Sequence, residues 1–229
     1  MPDRGEGAAA ELAALLTARH SCRGFLADPV PDVVLDRIFG VAQRTASWCN
    51  TQPWQVHLVS GAARDRLSQR LVDDVRDNPE SSDLPMPEQY VGVYQDRRRE
   101  AGFALYEAVG VERSDREARA RQAMLNYTFF GAPHVAIVTT DSSQGTYGAV
   151  DCGAYVANVL NAATAEGVAT IAQAAIAMRS TPVREVLGLP DDRLVVCAVS
   201  LGRADPDHPA NAFRTSRALP ADVVVRVEA

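Results

Sequence analysis

The sequence predicts an α+β or α/β domain with a small sheet and a large helical share. The chain has 229 residues, of which 47% are hydrophobic, and this is enough to bury one sizeable core. Segments with helical periodicity outnumber strand patterns in the order α, α, β, α, α, α, β, α, α, β, followed by an apolar tail. Because no repeat or low-complexity segment divides the chain, residues 1–229 are interpreted as one domain.

The first 77 residues hold four of these elements. Residues 8–18 combine helical spacing with good helix formers. A second helix follows two prolines and has Asp32 available as a cap, with apolar residues on one face up to Ala42. The segment 54–61 is a short, partly alternating strand, and residues 62–77 form an amphipathic helix.

The middle of the chain begins with an expected excursion over the surface, residues 78–102. Its first part is rich in proline, serine and charged residues, which favours a loop over a buried element. Two helices are predicted next, over residues 93–111 and 115–130. The segment 134–140 is then apolar enough to be a strand buried on both faces.

The last third alternates apolar helices and strands. Residues 149–167 form a nearly all-apolar, alanine-rich helix, which is expected to be central. A short helix over 181–190 precedes a second buried strand over 193–202. The final residues, 221–229, read as a β-branched strand at the very end of the chain.

Charge and composition exclude several classes of function. A net charge of −6 and a pI of about 5.2 argue against a nucleic-acid-binding surface. No apolar run is long enough to span a membrane, and the acidic N-terminus is unlike a secretory signal. The histidines and cysteines lack metal-ligand spacing, so no metal site and a reduced, cytoplasmic protein are expected. The thiols are Cys22, Cys49, Cys152 and Cys197.

Two short segments near the ends of the chain mix arginines with hydroxyl groups. "RHSCR" (19–23) and "FRTSR" (213–217) each place two guanidinium groups close to a serine. Such clusters suit a phosphate, because guanidinium groups bind oxyanions bidentately and a hydroxyl adds a donor. Solvated surface arginines are the alternative for each cluster, and the sequence does not show whether the two meet. Neither a glycine-rich phosphate loop nor a GxSxG motif is present.

The loop "RTASWCNTQPW" (44–54) is unusually polar and aromatic for a segment that leads into an apolar strand. Its hydroxyl and amide groups can bond the edge of a flat polar ring, and its two tryptophans add flat apolar surface. The alternative is a pair of core tryptophans beside a loop. The side chains concerned are Ser47, Trp48, Asn50, Gln52 and Trp54.

Taken in order, five segments resemble the FMN-dependent nitroreductase family, and most closely its nitrobenzoate reductase-like subgroup. The resemblance runs from about residue 12 to 220. The segments that show it are "RHSCRGFLADPVP", "AQRTASWCNTQPWQV", "FFGAPHVAIV", "DCGAYVANVLNAATAEGVAT" and "FRTSRALP".

The resemblance implies a three-layer α/β/α fold with a mainly antiparallel central sheet, closed as an intertwined homodimer. The strand around Val223–Val227 would cross to the partner's sheet, which would account for an apolar strand at a terminus. FMN would lie at the dimer interface. The residues implied at its phosphate are Arg19, His20, Ser21, Arg23, Arg214 and Arg217. Those implied near its ring are Ser47, Trp48, Asn50, Gln52, Ile171, Ala172, Gln173 and Ala174.

The implied activity is an oxidoreductase in which the flavin carries the chemistry and no side chain is catalytic. NADH or NADPH would deliver a hydride to the flavin N5 and leave, and a small aromatic acceptor such as a nitroarene would then use the same space. Two alternatives remain at this stage. One is an FMN enzyme of the same fold with another acceptor: a dehydrogenase, oxidase, dehalogenase or flavin destructase. The other is a non-enzymatic flavin-binding protein.

Overall fold

The structure, a computed structural model, describes residues 6–228 and confirms the α+β class with an antiparallel sheet. Residues 1–5 and 229, which the single-domain prediction includes, lie outside the described part. Four strands follow the spatial order β1-β2-β4-β3, and every neighbouring pair is antiparallel. They are β1 (Trp54–Ser60), β2 (His134–Asp141), β3 (Ala169–Gln173) and β4 (Arg193–Gly202).

Eight α-helices accompany these strands in the described chain. All seven predicted helices are found and only the short α7 was not predicted, although α5 ends at Met124, well before residue 130, and α6 begins at Gly145, before the predicted 149. The helices are α1 (Glu6–Ala18), α2 (Asp32–Ala42), α3 (Gly61–Asp77), α4 (Val93–Ala108), α5 (Arg116–Met124), α6 (Gly145–Ala165), α7 (Ala174–Ala177) and α8 (Ser180–Leu187).

Both faces of the sheet are buried by helices, which gives three layers. On one face, Ala136 and Val138 of β2 pack in a cluster with residues of α2 and α6. On the other, Val135 and Ile137 join residues of α3, α7 and α8. This alternation follows from the two-residue period of a strand, and it explains why the β2 sequence is apolar throughout.

Strand β3 was not predicted from the sequence. Its five residues, "ATIAQ", contain only one strongly strand-favouring apolar side chain, Ile171, beside two alanines, Ala169 and Ala172. The strand exists because its backbone pairs with β4, from Ala169 opposite Gly202 to Gln173 opposite Ala198. Tertiary pairing, and not local propensity, therefore determines this element.

The apolar tail and one edge of the sheet are both unpaired within the described chain. No residue of 6–228 pairs with the outer edge of β1, whereas Ser21 forms a parallel bridge to Thr170 on the outer side of β3. Residues 223–228 form no strand with the rest of this part of the chain. Val225 is 86% exposed and Val227 is 90% exposed.

The segment 78–102 runs over the surface and is bonded to the body of the domain near its start. Asp83 accepts two hydrogen bonds from the Arg184 guanidinium, at 3.3 and 3.0 Å, and one from the Val195 backbone N–H at 2.8 Å. From residue 93 the segment continues as α4, in which no residue is buried. The segment is therefore anchored where it leaves the body and exposed further along.

A buried histidine joins three elements at one end of the sheet. The His134 ring accepts the Val30 backbone N–H at Nε2 (2.9 Å), so in the neutral ring Nδ1 carries the proton and bonds Ser60 Oγ at 2.6 Å. Burial lowers the pKa of His134, and the nearby Asp32 charge opposes this only in part. The neutral ring is therefore the form that the fold stabilises.

We expect this histidine to make the protein less stable in mild acid. The unfolded chain binds a proton near pH 6.5 and the folded chain only at lower pH, so the stabilisation is complete above pH 6.5 and falls as the pH drops through the folded pKa. The measurement is the urea midpoint at pH 7.5 and 5.5 in the wild type and in His134→Gln. The variant should lose less stability between the two values. Equal losses would show that His57, whose pKa burial also lowers, or other groups dominate.

Candidate functional site

Arginines from opposite ends of the chain line one cleft of about 590 Å³. The first segment contributes four neighbouring side chains from the stretch directly after α1. The second contributes side chains from the stretch after β4. The residues of the first segment are Arg19, His20, Ser21 and Arg23, and those of the second are Phe213, Arg214, Thr215 and Arg217.

The first segment is held in place between two parts of the sheet. The Cys22 backbone N–H donates to Thr170 O of β3 at 2.9 Å, and the Leu26 N–H donates to Arg203 O beyond β4 at 2.9 Å. Residues 21–26 thus form an extended strap from β3 to the end of β4. Because its backbone is fixed on both sides, the positions of the cleft-lining side chains are fixed as well.

Asn211 ties this strap to the second segment. Its side-chain oxygen accepts the Arg23 backbone N–H at 2.8 Å, and its amide donates to Gly24 O at 2.8 Å and to Asp205 O at 2.9 Å. The residue is buried, so each lost bond would leave a polar group without water. Sequence reasoning missed Asn211, which stands in a polar stretch with no motif of its own.

The cleft concentrates positive charge. Burial, and then the neighbouring charge of Arg217, lowers the pKa of Arg19. Burial also lowers the pKa of Arg23, whose guanidinium carbon lies 5.9 Å from the centre of the Phe213 ring. No acidic residue lines this cleft among residues 6–228. A dianion such as a phosphate monoester would relieve the repulsion between these groups and receive several charged donors.

The four residues expected beside a ring, 171–174, lie next to this strap but differ in accessibility. Ala172 and Ala174 are exposed, whereas Ile171 and Gln173 are buried. The Gln173 side chain accepts a hydrogen bond from Ser200 Oγ at 2.5 Å and donates to Asn126 O at 2.9 Å. The Gln173 amide is thus bonded within the fold, and the implied place of this residue near a ring stays a prediction.

The polar loop before β1 is a tightly turned, internally bonded structure. Ser47 Oγ accepts the Gln52 backbone N–H at 2.9 Å, and Gln52 also bonds Gln43 at 3.0 Å. Asn50 and Gln52 have φ values of 56° and 47°, a region that side chains seldom adopt. Such strain commonly accompanies functional loops and persists only where surrounding contacts enforce it.

The two tryptophans of this loop have different environments. Trp54 is a core residue, stacked on Tyr155 with ring centres 4.8 Å apart. Trp48 is 61% exposed and lies 4.6 Å from the similarly exposed Tyr147 ring, while its backbone N–H donates to Asp151 at 3.1 Å. The core interpretation therefore holds for Trp54, and Trp48 presents a flat surface to the outside.

Within one chain the structure brings together only part of the predicted site. The two arginine segments share a cleft, and Ser21 bridges Thr170 of β3. The loop residues line no part of that cleft: Ser47, Trp48, Asn50 and Gln52. Among residues 6–228, no cluster of three potential metal ligands is found, and none of the helices is long and apolar enough to cross a membrane.

Comparisons with known proteins identify relatives along most of the chain. Nitroreductase NfnB of Mycolicibacterium smegmatis is 35% identical over 205 residues, covering 89% of this chain and 87% of the relative. The 4-nitrobenzoate reductase of Pseudomonas putida is 30% identical over 207 residues, covering 90% and 91%. The crystal structure of the FMN-dependent NfnB from Mycobacterium smegmatis in complex with NADPH superposes with a TM-score of 0.91 at 33% identity, covering 96% of this chain and all of that one.

The family model described as "Nitroreductase family" matches residues 16–203. This range contains the first arginine segment, the polar loop and all four strands. The sequence resemblance is thereby confirmed, and the chain belongs to the nitroreductase family.

Proposed function

We propose that this protein is an FMN-dependent oxidoreductase that takes a hydride from NADH or NADPH and passes it to a nitroaromatic or similarly flat acceptor. The observation that carries the proposal is the cleft in which arginines from both ends of the chain converge. The relatives support it, because one is described as FMN-dependent and bound to NADPH and others as nitroreductases.

The cleft fits the phosphate of FMN in charge and in donor type. Arg19 and Arg217 would share its charge, and the Ser21 hydroxyl would add a short hydrogen bond. Arg23 and Arg214 stand beside them and would add charge, with His20 at the same wall. Burial and then the charge of Arg217 lower the pKa of Arg19, and a bound phosphate would offset both effects.

The ring of FMN would extend from this cleft along β3 to the start of α7, where the exposed Ala172 and Ala174 present no bulky side chain. Backbone N–H groups there would stabilise negative charge on the reduced ring. The other wall would come from the loop of a second copy, because in one chain that loop lies away from the cleft. Its contributors would be Ser47, Trp48, Asn50 and Gln52.

A homodimer would also cover the unpaired tail and the free sheet edge. The exposed valines of residues 223–227 form an apolar strand pattern, and β1 has an unpaired outer edge. Addition of this tail to a partner's sheet would bury both.

We expect the full chain to sediment as a dimer at micromolar concentration and a variant lacking residues 221–229 to dissociate and lose FMN, with circular dichroism as the control for folding. A dimer of unchanged stability would contradict this role of the tail.

FMN, when bound, would supply the two-electron redox chemistry that links the nucleotide to the acceptor. The protein's own groups bind, orient and exclude water. Arg19 and Arg217 fix one end of the cofactor, and the rigid loop around Trp48 would wall a space for flat molecules. Donor and acceptor would use this space in turn, with protons taken from water.

A different acceptor is the main alternative within this fold. The names of the relatives favour nitro compounds, since 4-nitrobenzoate reductases and a nitrobenzene nitroreductase are among them. The exposed Trp48 ring is compatible with any planar acceptor. The proposal includes a cytoplasmic location, where nicotinamide nucleotides are abundant and the four free cysteines stay reduced.

The test is an absorbance spectrum of the purified protein, followed by addition of NADH or NADPH without oxygen. Flavin bands that bleach with a nucleotide and return when nitrobenzoate is added would support the full proposal. Bleaching without recovery would keep the cofactor and move the function to another acceptor. Protein that cannot be loaded with FMN would refute the proposal.

A further inference from the structure

A second cleft, of about 480 Å³, adjoins the arginine cleft and shares two of its residues, Thr215 and Arg217. Its other wall is α4, which contributes Arg97 and Glu100. The cleft therefore places a carboxylate and two guanidinium groups around one space. Neither the activity proposed above nor the FMN phosphate accounts for the α4 residues.

The charges on the two walls differ in how they are used. The Glu100 carboxylate accepts a hydrogen bond from Ser216 Oγ at 2.6 Å. Arg217 bonds only hydroxyl and carbonyl oxygens, of Thr215 and Ser216. Within the described residues Arg97 forms no ion pair and no side-chain hydrogen bond, unlike Arg121 in the neighbouring helix, which pairs with Glu117. The guanidinium N–H groups of Arg97 are thus available to a ligand in this cleft.

We propose that this second cleft takes the adenosine ribose of the nicotinamide donor and that Arg97 selects NADPH by binding its 2′-phosphate. This step rests on the proposed function. A guanidinium fork binds a phosphate bidentately, whereas a carboxylate accepts the free ribose hydroxyls of NADH. Glu100 therefore opposes Arg97: it repels the 2′-phosphate and favours the nucleotide that lacks it.

The placement beside the first cleft fits this role. The donor has to reach the same cofactor that the first cleft would hold, and Arg217 stands between the two clefts. A nucleotide phosphate bound next to the FMN phosphate would be tolerated only where spare positive charge is present. Arg97 supplies that charge from a separate element, α4.

The test compares three single substitutions in FMN-loaded protein, with KM measured for NADPH and for NADH. Arg97→Gln should raise KM for NADPH about tenfold or more, as expected for a lost charged hydrogen bond, and leave KM for NADH nearly unchanged. Glu100→Gln should shift the ratio the other way. The matched control is Arg98→Gln on the same helix, whose guanidinium lies 5.2 Å from the Tyr90 ring centre and does not line the cleft. It should leave the ratio unchanged.

A binding measurement separates this inference from the function on which it rests. In calorimetry, 2′,5′-ADP should bind the wild type more tightly than 5′-AMP, and Arg97→Gln should abolish the difference. If neither NADH nor NADPH reduces the flavin but 2′,5′-ADP still binds more tightly than 5′-AMP, the 2′-phosphate site at Arg97 stands and the proposed function fails. Equal binding of the two probes, equal effects of Arg97→Gln on both donors, or the same effect from Arg98→Gln would overturn the inference.

Discussion

Replacing Arg19 by Gln is expected to lower the affinity for FMN by about ten- to a hundredfold, the range for loss of one charged hydrogen bond to a phosphate. The substitution keeps a long polar side chain but removes the charge that faces the cleft. Arg217, Arg23 and Arg214 remain, so binding is weakened and not abolished. The measurement is the dissociation constant from quenching of FMN fluorescence by protein stripped of flavin.

The same variant should be no less stable than the wild type when FMN is absent. Burial and the charge of Arg217 both disfavour the charged form of Arg19 in the folded protein, as the direction of its pKa shift shows. Removing that charge relieves repulsion that only an anion would otherwise offset. The two measurements therefore distinguish a binding role of Arg19 from a structural one. For a binding role, the affinity for FMN falls while the urea midpoint of the flavin-free protein stays the same or rises.

Arg37→Gln serves as the matched control, since it removes an identical charge from a residue that does not line the cleft. Arg37 pairs with Glu166 through two hydrogen bonds, at 3.0 and 2.7 Å, in an exposed position. It should leave FMN affinity unchanged and have little effect on stability, because exposed ion pairs contribute little. Equal losses of affinity in both variants would point to net charge, and unchanged affinity in Arg19→Gln would remove this residue from the site.

The sequence predicted the arginine segments because their chemistry is local: two guanidinium groups and a hydroxyl within five residues suit a phosphate wherever they lie. That the two segments meet was implied only by the family resemblance and not by their own chemistry, since it depends on β3 and on Asn211. Strand β3 has weak local propensity and forms through pairing with β4. Asn211 matters because it bonds residues at the other end of the chain.

Accessibility was the other quantity that sequence could not supply. Gln173 is the only polar residue of its stretch, which made it a natural ligand candidate, yet Ser200 and Asn126 use its amide. Trp48 and Trp54 are six residues apart in one loop, and only the structure separates the exposed ring from the core ring. Hydrophobic periodicity and composition predict helices and strands, whereas the direction of a single side chain depends on its neighbours in space.

Gly24→Ala is expected to be the most damaging small substitution in the strap. A Cβ at this position would lie 2.1 Å from Cγ and 2.5 Å from Cβ of His208, far inside any real contact. Both atoms are close to the His208 backbone, so rotation of the ring cannot remove the clash. The strap or the stretch after β4 has to move, at a cost of about 1–3 kcal/mol for overpacking, and Arg23 moves with it.

We expect the variant to show a lower urea midpoint and weaker FMN binding together. Gly40→Ala is the matched control, because a Cβ at this exposed position of α2 meets nothing within 4 Å, and alanine should stabilise the helix by about 0.5–1 kcal/mol. If Gly24→Ala behaves like this control, the strap is not packed against His208 as described.

A double variant shows whether the damage arises at this one contact. Gly24→Ala combined with His208→Gly removes both clashing atoms and loses only the weak acceptance of the Ala210 N–H by the His208 ring at 3.2 Å. Residues in direct contact deviate from additivity by about 0.5–3 kcal/mol, so the double variant should regain much of the stability lost by Gly24→Ala. Recovery of FMN binding in parallel would establish that the close approach of strap and loop positions the arginines. Strictly additive losses would show that contact with His208 is not the reason why this position needs glycine.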